Sequence, residues 1–245
     1  MVLDLLFPRA CAACGDGPWP FCSACRVALT PIDHPLCSRC GAPARAAVDR
    51  CELCPPPDVD RARSAFVFRG PLRKAIHRLK FAGDRGVAAA LGGAMAAVLD
   101  REPDVITWVP LSRARLAERG YDQARALART VSRLTRTPVS ELLSRSRDLP
   151  PQALRGATER RSALTDAFSA SRRPPPHVLL VDDVMTTGAT AAECAKALKI
   201  AGAAGVEVLT AGRALRRARG VWGEPVLSSD GLRSGSVVAR GEVPR

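Results

Sequence analysis

The stretch that most restricts the fold runs from residue 178 to residue 190 and reads VLLVDDVMTTGAT. Its four leading apolar residues predict a buried strand of a parallel sheet. Two adjacent carboxylates, Asp182 and Asp183, follow at the carboxyl end of this strand, where open α/β sheets bind their ligands. A turn rich in Thr and Gly then opens a helix. The stretch therefore predicts an α/β fold with a ligand site at the tip of this strand.

The turn after the two acids carries groups that suit a phosphate. Free backbone amides, hydroxyl groups and the positive end of the helix dipole all stabilise a dianion at such a turn. Gly188 allows the backbone to approach closely, and Asp182 and Asp183 can accept hydrogen bonds from vicinal sugar hydroxyls. This order fits a 5-phosphorylated ribose. The alternative is an Asp/Thr helix cap without a ligand, but one cap does not need two acids and three Thr.

The flanking sequence alternates predicted strands with predicted helices, which indicates βαβ units and a Rossmann-like parallel sheet. The predicted strands are Ser64–Phe68, Asp104–Val109, His177–Val181 and Val206–Ala211, and the predicted helices are Pro71–Phe81, 85–99, 113–135 and Thr190–Ala201. On the helix 113–135 the residues predicted to face inward are Leu116, Leu127, Val131 and Leu134. The polar, Arg-rich composition of residues 144–173 predicts a mobile loop with a short helix near Glu159. The Gly, Ser and charge content of residues 215–245 predicts a disordered tail.

The N-terminal part is defined by its cysteines. Residues 1–57 hold eight of the nine Cys in four C-x-x-C pairs, which are Cys11/Cys14, Cys22/Cys25, Cys37/Cys40 and Cys51/Cys54. Two such turns, with backbone amides pointing at the sulfurs, complete one tetrahedral site, so eight ligands predict two structural zinc sites without an open coordination position. Gly15 and Gly41 follow their pairs, where the turn needs a positive φ. A disulfide framework is the alternative, and the lack of a signal peptide argues against it.

The pairing of the eight thiols is left open by the sequence. Nearest-neighbour pairing puts the first four on one ion and the last four on the other, but an interleaved arrangement is possible. His34 could substitute as a ligand, although all eight thiols are available. Cys194 stands alone within a predicted helix and is expected to be a buried small apolar residue.

Length and charge restrict the functional class. The chain has 245 residues and a formal charge of +13, and residues 113–173 hold fourteen Arg, no Lys and six acids, a net of +8. Such a field attracts polyanions or phosphorylated small molecules, although a solvated surface in an Arg-rich proteome is the alternative. No apolar run reaches the roughly 18 residues of a membrane span. The start, 1–9, has neither a basic region nor a cleavage site, which predicts a cytoplasmic protein.

The stretch 178–190 resembles the phosphoribosyl-diphosphate (PRPP) binding motif of type I phosphoribosyltransferases. By that resemblance Asp182 and Asp183 hold the ribose 2- and 3-hydroxyls, and the 5-phosphate is held by Thr186, Thr187, Gly188, Ala189 and Thr190. The resemblance also marks residues 109–113 as a candidate pyrophosphate loop in which Arg113 meets the diphosphate. An ordinary turn with a surface Arg is the alternative there. Residues 119–123 and 151–161 are candidate closing-loop segments.

Over residues 1–212 the chain resembles the ComF family, in which a double zinc ribbon is fused to a phosphoribosyltransferase-like domain and which is linked to DNA uptake in competent bacteria. The matching pieces are the paired Cys turns, Leu79-Lys80-Phe81, Val109-Pro110-Leu111, residues 118–123, Pro150-Pro151-Gln152, Glu159-Arg160-Arg161 and the PRPP motif. Ser112 stands where such proteins often have His, and Tyr121-Asp122 where many have Phe-Asn. The resemblance implies a zinc ribbon at 1–57, a phosphoribosyltransferase-like domain at 62–214, and PRPP bound with Mg²⁺.

Two functions remain open at this point. In the first, the chain is a phosphoribosyltransferase whose acceptor and catalytic base the sequence does not name. In the second, it is a non-catalytic adaptor that keeps the PRPP pocket and binds single-stranded DNA through its Arg-rich surface and zinc module, or whose zinc module docks a protein of the competence machinery. The scarcity of aromatic residues counts against the second, because single-strand binding commonly uses aromatic stacking.

Overall fold

The computed structural model describes residues 10–145 and 167–215. The helices in these ranges are α1 (Ser23–Val27), α2 (Gly70–Ala82), α3 (Arg85–Ala97), α4 (Arg113–Arg119), α5 (Gln123–Thr135) and α6 (Ala189–Ile200). The strands are β1 (Arg61–Val67), β2 (Val105–Trp108), β3 (Leu143–Arg145), β4 (Phe168–Ala170), β5 (His177–Met185) and β6 (Gly205–Arg213). The short helix expected near Glu159 and the tail from 216 onward lie outside the described residues.

Four parallel strands form the central sheet in the order β1-β6-β5-β2. In its register, Val178 of β5 lies beside Val105 of β2 on one side and Val206 of β6 on the other. The parallel α/β fold predicted from the alternation of strands and helices is therefore confirmed.

Helices cover both faces of this sheet. α2, α3 and α5 pack on one face, where Leu179 and Val181 of β5 join their core. α6 packs on the other face, against Val178 and Leu180. Because both faces are covered, the centre of β5 is apolar at every position rather than at alternate ones.

β5 is longer than predicted. It continues through Asp182 and Asp183 to Met185, because β6 runs beside it as far as Arg213 and the pairing continues, with Asp182 beside Thr210. The two acids therefore lie inside the strand, not after it. Successive residues of a strand face opposite sides of the sheet, so the two side chains leave β5 on opposite faces, while their carboxylates remain close enough to interact.

The prediction of one long helix at 113–135 was wrong. α4 ends at Gly120, which has a φ of 71°, and α5 starts after Asp122, whose side chain accepts a hydrogen bond from the Arg125 amide. The break turns the two halves relative to each other, so Leu116 no longer shares one face with the apolar residues of α5. Leu127 and Val131 are buried as predicted, whereas Leu116 and Leu134 are 44% and 57% exposed.

The prediction of a loop at 144–173 was wrong at both ends of the segment. β3 and β4 pair there as a small antiparallel sheet. Leu143 and Phe168 are buried in the core on the α6 face of the central sheet, and this burial stabilises a pair of strands only three residues long.

The N-terminal module packs directly on the α/β part. Cys11 and Phe21 belong to the same core as α2 and α3. The Trp19 indole donates to both carboxylate oxygens of Asp84, at 3.0 and 2.9 Å, and Asp84 also caps α3. The Trp19 ring lies where a side chain on Gly86 would be, because a Cβ built there falls 1.6 Å from the ring. The module is therefore fixed by specific contacts as well as by apolar burial.

Candidate functional site

The eight N-terminal thiols form two groups of four. Within each group the sulfur atoms all lie within 4.8 Å of one another, and the groups are Cys11, Cys14, Cys22, Cys25 and Cys37, Cys40, Cys51, Cys54. The separations of 3.8 Å from Cys14 Sγ to Cys22 Sγ and 3.7 Å from Cys37 Sγ to Cys54 Sγ match the edge of about 3.8 Å in a zinc tetrahedron with bonds of about 2.3 Å. The thiols are thus brought together in the nearest-neighbour groups and not in the interleaved arrangement.

The cysteine turns have the geometry that metal binding needs. Gly15 and Gly41 have φ values of 83° and 63°, as predicted. Burial would raise the pKa of Cys11, but hydrogen bonds from backbone amides lower it to about 6. Burial would likewise raise the pKa of Cys37, but hydrogen bonds from the backbone amides of the turn and from the Cys54 side chain lower it to about 7. Each group thus contains one thiol whose surroundings favour the thiolate, which is the form that binds zinc.

The turn after β5 lies open at the start of α6. Gly188, with a φ of 77°, precedes the helix and has no side chain to cap it, and the Ala189 amide donates to Thr187 Oγ1 at 3.4 Å. Thr186, Thr187, Ala189 and Thr190 are exposed, whereas Gly188 is buried. A cavity of about 60 Å³ is lined by the turn, by Asp182 and by Thr210. The structure thus brings Asp182 together with all five predicted phosphate-binding residues.

Asp183 lies on the other side of β5. It is 5% exposed and faces α2 and α5. Lys80 Nζ lies 2.7 Å from its Oδ2, and Gln123 Nε2 donates to its Oδ1 at 3.4 Å. Arg119 in turn donates to the Gln123 side-chain oxygen at 3.1 Å. Both residues lie in segments that resemble ComF sequences, and Gln123 ends a candidate closing-loop segment, but their contact with Asp183 was not predicted.

The surroundings of Asp182 disfavour the charged form of its carboxylate. Burial raises its pKa well above the ordinary value, and the negative charge of the neighbouring Asp183 raises it further. The Asp183 amide donates to Asp182 Oδ1 at 2.8 Å and Lys80 adds positive charge, but these do not cancel the shift. A hydroxyl donor or a cation at this carboxylate would relieve the cost of its charge.

The candidate pyrophosphate loop starts at the same edge of the sheet. The Val109 amide donates to the Val181 carbonyl at 3.0 Å, which keeps the loop beside β5. Ser112 caps α4 by accepting from the Arg115 amide at 3.2 Å. Arg113 is exposed at the first position of α4 and forms no ion pair among the described residues. Its contact with a diphosphate stays a prediction.

A long groove lined with arginines runs beside α5. It has a volume of about 920 Å³, and its arginines are Arg85, Arg119, Arg125, Arg129 and Arg133. Among the described residues, none of these five forms an ion pair with an acid. The Arg125 guanidinium lies over the Trp108 ring, 5.4 Å from its centroid, and Arg119 lies over Phe81 at 5.3 Å. This groove, called the arginine groove below, is therefore a positively charged surface with aromatic residues in its wall.

Known proteins resemble both parts of the chain. The double zinc ribbon domain family matches residues 2–55. The DNA utilization protein YhgH of Escherichia coli K12 is 34% identical over 220 residues, which cover 83% of this chain and 96% of that protein. This chain belongs to the ComF family. Competence protein F of Haemophilus influenzae is 32% identical over 79% of the chain and 90% of its own length, and competence protein ComFC of Bacillus subtilis is 29% identical over 71% and 76%.

Two solved structures align with about half of this ComF-family chain. They are described as the allosteric regulatory enzyme of purine biosynthesis and as glutamine PRPP amidotransferase from B. subtilis. The identities are 25% and 26%, and the TM-score is 0.38 for both. The chain covers 26% of the length of each enzyme.

Within the described residues of the ComF-family chain, no helix has the length and apolarity that a membrane crossing requires.

Zinc content tests the two cysteine groups. We expect about two zinc ions per chain, and about one after Cys51→Ser, because a tetrahedral site that loses a thiolate binds zinc far more weakly. Atomic emission of the purified full chain measures both values. Cys194→Ala is the matched control and should retain two ions, since Cys194 lies alone in α6. One ion or none in the wild type would contradict the assignment.

Replacing Asp182 with Asn should stabilise the protein increasingly as the pH rises. The pKa of Asp182 is raised in the folded chain above the ordinary value of 3.8. The charged carboxylate therefore lowers the free energy of unfolding, and this loss grows as the pH rises from the ordinary value to the raised one. Thermal unfolding between about pH 5.5 and pH 8.5 should show a Tm gain for Asp182→Asn that widens toward alkaline pH. Glu102→Gln, at an exposed acid near the opposite edge of the sheet, should show a constant difference. A Tm difference for Asp182→Asn that does not change with pH would disprove the raised pKa of Asp182.

Proposed function

We propose that this ComF-family chain binds PRPP at the carboxyl edge of its sheet, with the 5-phosphate on residues 186–190 and the ribose diol on Asp182 and Asp183. The observation that carries the proposal is the open start of α6, whose cavity is shared by the turn and by the Asp182 carboxylate. Amides at a helix start attract a phosphate, and a carboxylate with a raised pKa gains from a hydroxyl donor.

Further residues extend the binding site in this proposal. Arg113 meets the diphosphate from the loop beside β5, and charge-assisted bonds from Arg suit that group. Mg²⁺ accompanies PRPP, and the carboxylate oxygens of Asp182 are donors of the hard kind that Mg²⁺ prefers. Lys80 keeps Asp183 in place while the sugar is absent, since its ammonium group lies 2.7 Å from that carboxylate.

The enzymatic form of the proposal adds an acceptor. A nucleophile would attack the anomeric carbon, the bond to the diphosphate oxygen would break, and pyrophosphate would leave with that electron pair. Arg113 would stabilise the charge that develops on the leaving oxygens.

Calorimetric titration with PRPP and Mg²⁺ tests the sugar site. We expect Asp182→Ala/Asp183→Ala to weaken binding by about 100-fold, because two hydrogen bonds to charged acceptors are worth roughly 3 kcal/mol together. Glu102→Gln is the control and should bind like the wild type. Wild-type protein with two zinc ions and a cooperative unfolding transition that still fails to bind PRPP would rule the proposal out.

A second function is favoured by the arginine groove. We propose that the arginine groove holds the phosphates of a single DNA strand. We also propose that the protein is cytoplasmic, because thiols stay reduced in that compartment and can serve as zinc ligands. Arg125, Arg129 and Arg133 are exposed and four residues apart, so they project from one face of α5. The names of the relatives, DNA utilization protein and competence protein, agree with a role in DNA uptake. A competence-machinery protein is the other proposed partner, and it would dock on the zinc module.

Fluorescence anisotropy with a labelled oligonucleotide at several salt concentrations tests the groove. Arg125→Ala/Arg129→Ala/Arg133→Ala should weaken binding and lower the slope of log K against log salt by about 2, since each lost contact with a single strand contributes about 0.7. Arg26→Ala/Arg50→Ala/Arg73→Ala changes the net charge equally at exposed sites outside the groove and should keep the slope. Equal loss in both variants would mean that only the overall charge attracts DNA.

A further inference from the structure

The segment that follows the second cysteine group touches the turn at residues 186–190, which is called the phosphate turn below. Pro55 follows the ligand Cys54 and lies against Gly188, where an added Cβ would fall 2.6 Å from the Pro55 Cβ. This contact explains why Gly188 is buried while Thr187 and Ala189 on either side of it are exposed. The middle of the turn is therefore covered by the zinc module, while its two ends remain open.

A buried arginine makes a second connection between the same two places. Arg213 is the last residue of β6, is 2% exposed, and lies beside Met185 of β5. Its guanidinium donates to the carbonyl oxygen of Leu53, which lies between the ligands Cys51 and Cys54, and to Met185 Sδ at 3.4 Å. One planar group thus joins a metal-binding turn to the residue that precedes the phosphate turn.

The charge of Arg213 needs a partner inside the protein. No carboxylate pairs with it among the described residues, and its Nε has no hydrogen-bond partner there. A buried, unpaired guanidinium would cost several kcal/mol. Four thiolates around one divalent zinc ion carry a formal charge of about −2, and this group lies beside Arg213. A zinc-loaded second group would therefore supply the opposite charge that Arg213 needs, and Arg213 already interacts electrostatically with the ligand Cys40.

The linker after the second group is held too. Arg39, between the ligands Cys37 and Cys40, donates to the carbonyl oxygens of Pro55, Pro56 and Val59 at 3.0, 2.9 and 2.7 Å. Pro55 is therefore fixed from the metal side, and its contact with Gly188 is not that of a loose loop.

We propose that Arg213 is a positioning residue, through which zinc in the second cysteine group holds the phosphate turn in its binding shape. In this proposal zinc holds the turn around Leu53. The Leu53 carbonyl and the charge of the zinc–thiolate group then hold the Arg213 side chain. Arg213 in turn contacts Met185, and Pro55 contacts Gly188, so both ends of the connection reach the phosphate turn. The significance of this coupling for ligand binding rests on the proposed function, because it assumes that residues 186–190 hold a phosphate. The coupling itself is a property of the folded chain without ligand.

Hydrogen exchange of the full-length zinc-loaded protein, read by mass spectrometry on peptides covering residues 184–192, tests the coupling. Arg213→Met should raise exchange there at least about 10-fold while residues 85–97 stay protected, because the turn loses its anchor but α3 does not. Arg213→Lys, which keeps the charge, should restore part of the protection. Arg78→Met is the matched control, because Arg78 donates to the Cys11 carbonyl of the first group, at 3.4 Å, away from the turn. It should leave residues 184–192 unchanged.

Two further variants keep the test decisive if Arg213→Met fails to fold. Pro55→Gly removes only the contact with Gly188 and should raise exchange in the turn alone, and Cys51→Ser should raise it together with the loss of one zinc ion. Unchanged exchange in the turn in Pro55→Gly and Cys51→Ser would overturn the proposal. Titration with PRPP and Mg²⁺ separates the coupling from the proposed function. If the wild type does not bind PRPP but the variants still show raised exchange in the turn, the proposed function is refuted and the coupling stands.

Discussion

Parallel pairing of β5 on both of its edges is the constraint on which the rest of the structure depends. β2 and β6 lie beside it and helices cover both faces, so its centre must be apolar and its polar residues must collect at the carboxyl end. The neighbouring strands end at the same edge. This brings the acids of β5, the turn 186–190, Lys80 of α2 and the loop 109–113 together from distant parts of the chain.

The zinc module solves a different physical problem. About fifty residues rich in Pro and Gly bury too little apolar surface to fold alone, and the two tetrahedral sites replace the missing core by fixing four tight turns. The module then adds Cys11 and Phe21 to the core of the α/β part and accepts Arg213 beside its second metal group. The zinc ribbon and the sheet therefore stabilise each other at both metal sites.

What the sequence reveals depends on how local the responsible interaction is. The buried strand, the cysteine turns with Gly15 and Gly41, and the open turn at Gly188 are each determined by neighbouring residues, and each was predicted. The helix break at Gly120 was missed because a Gly inside a helical pattern is tolerated in many helices. The contact of Lys80 and Gln123 with Asp183 joins elements far apart in sequence, and the exit of Leu116 from the core follows from that break. Such features require the assembled fold.

The stacking of Trp19 against Gly86 has a consequence for how these proteins change over time. The indole occupies the volume that any larger residue at position 86 would need, so a substitution there is tolerated only when position 19 shrinks in the same lineage. The two positions should therefore covary among homologues, and the metal-binding half and the sheet should be inherited together rather than exchanged between unrelated genes.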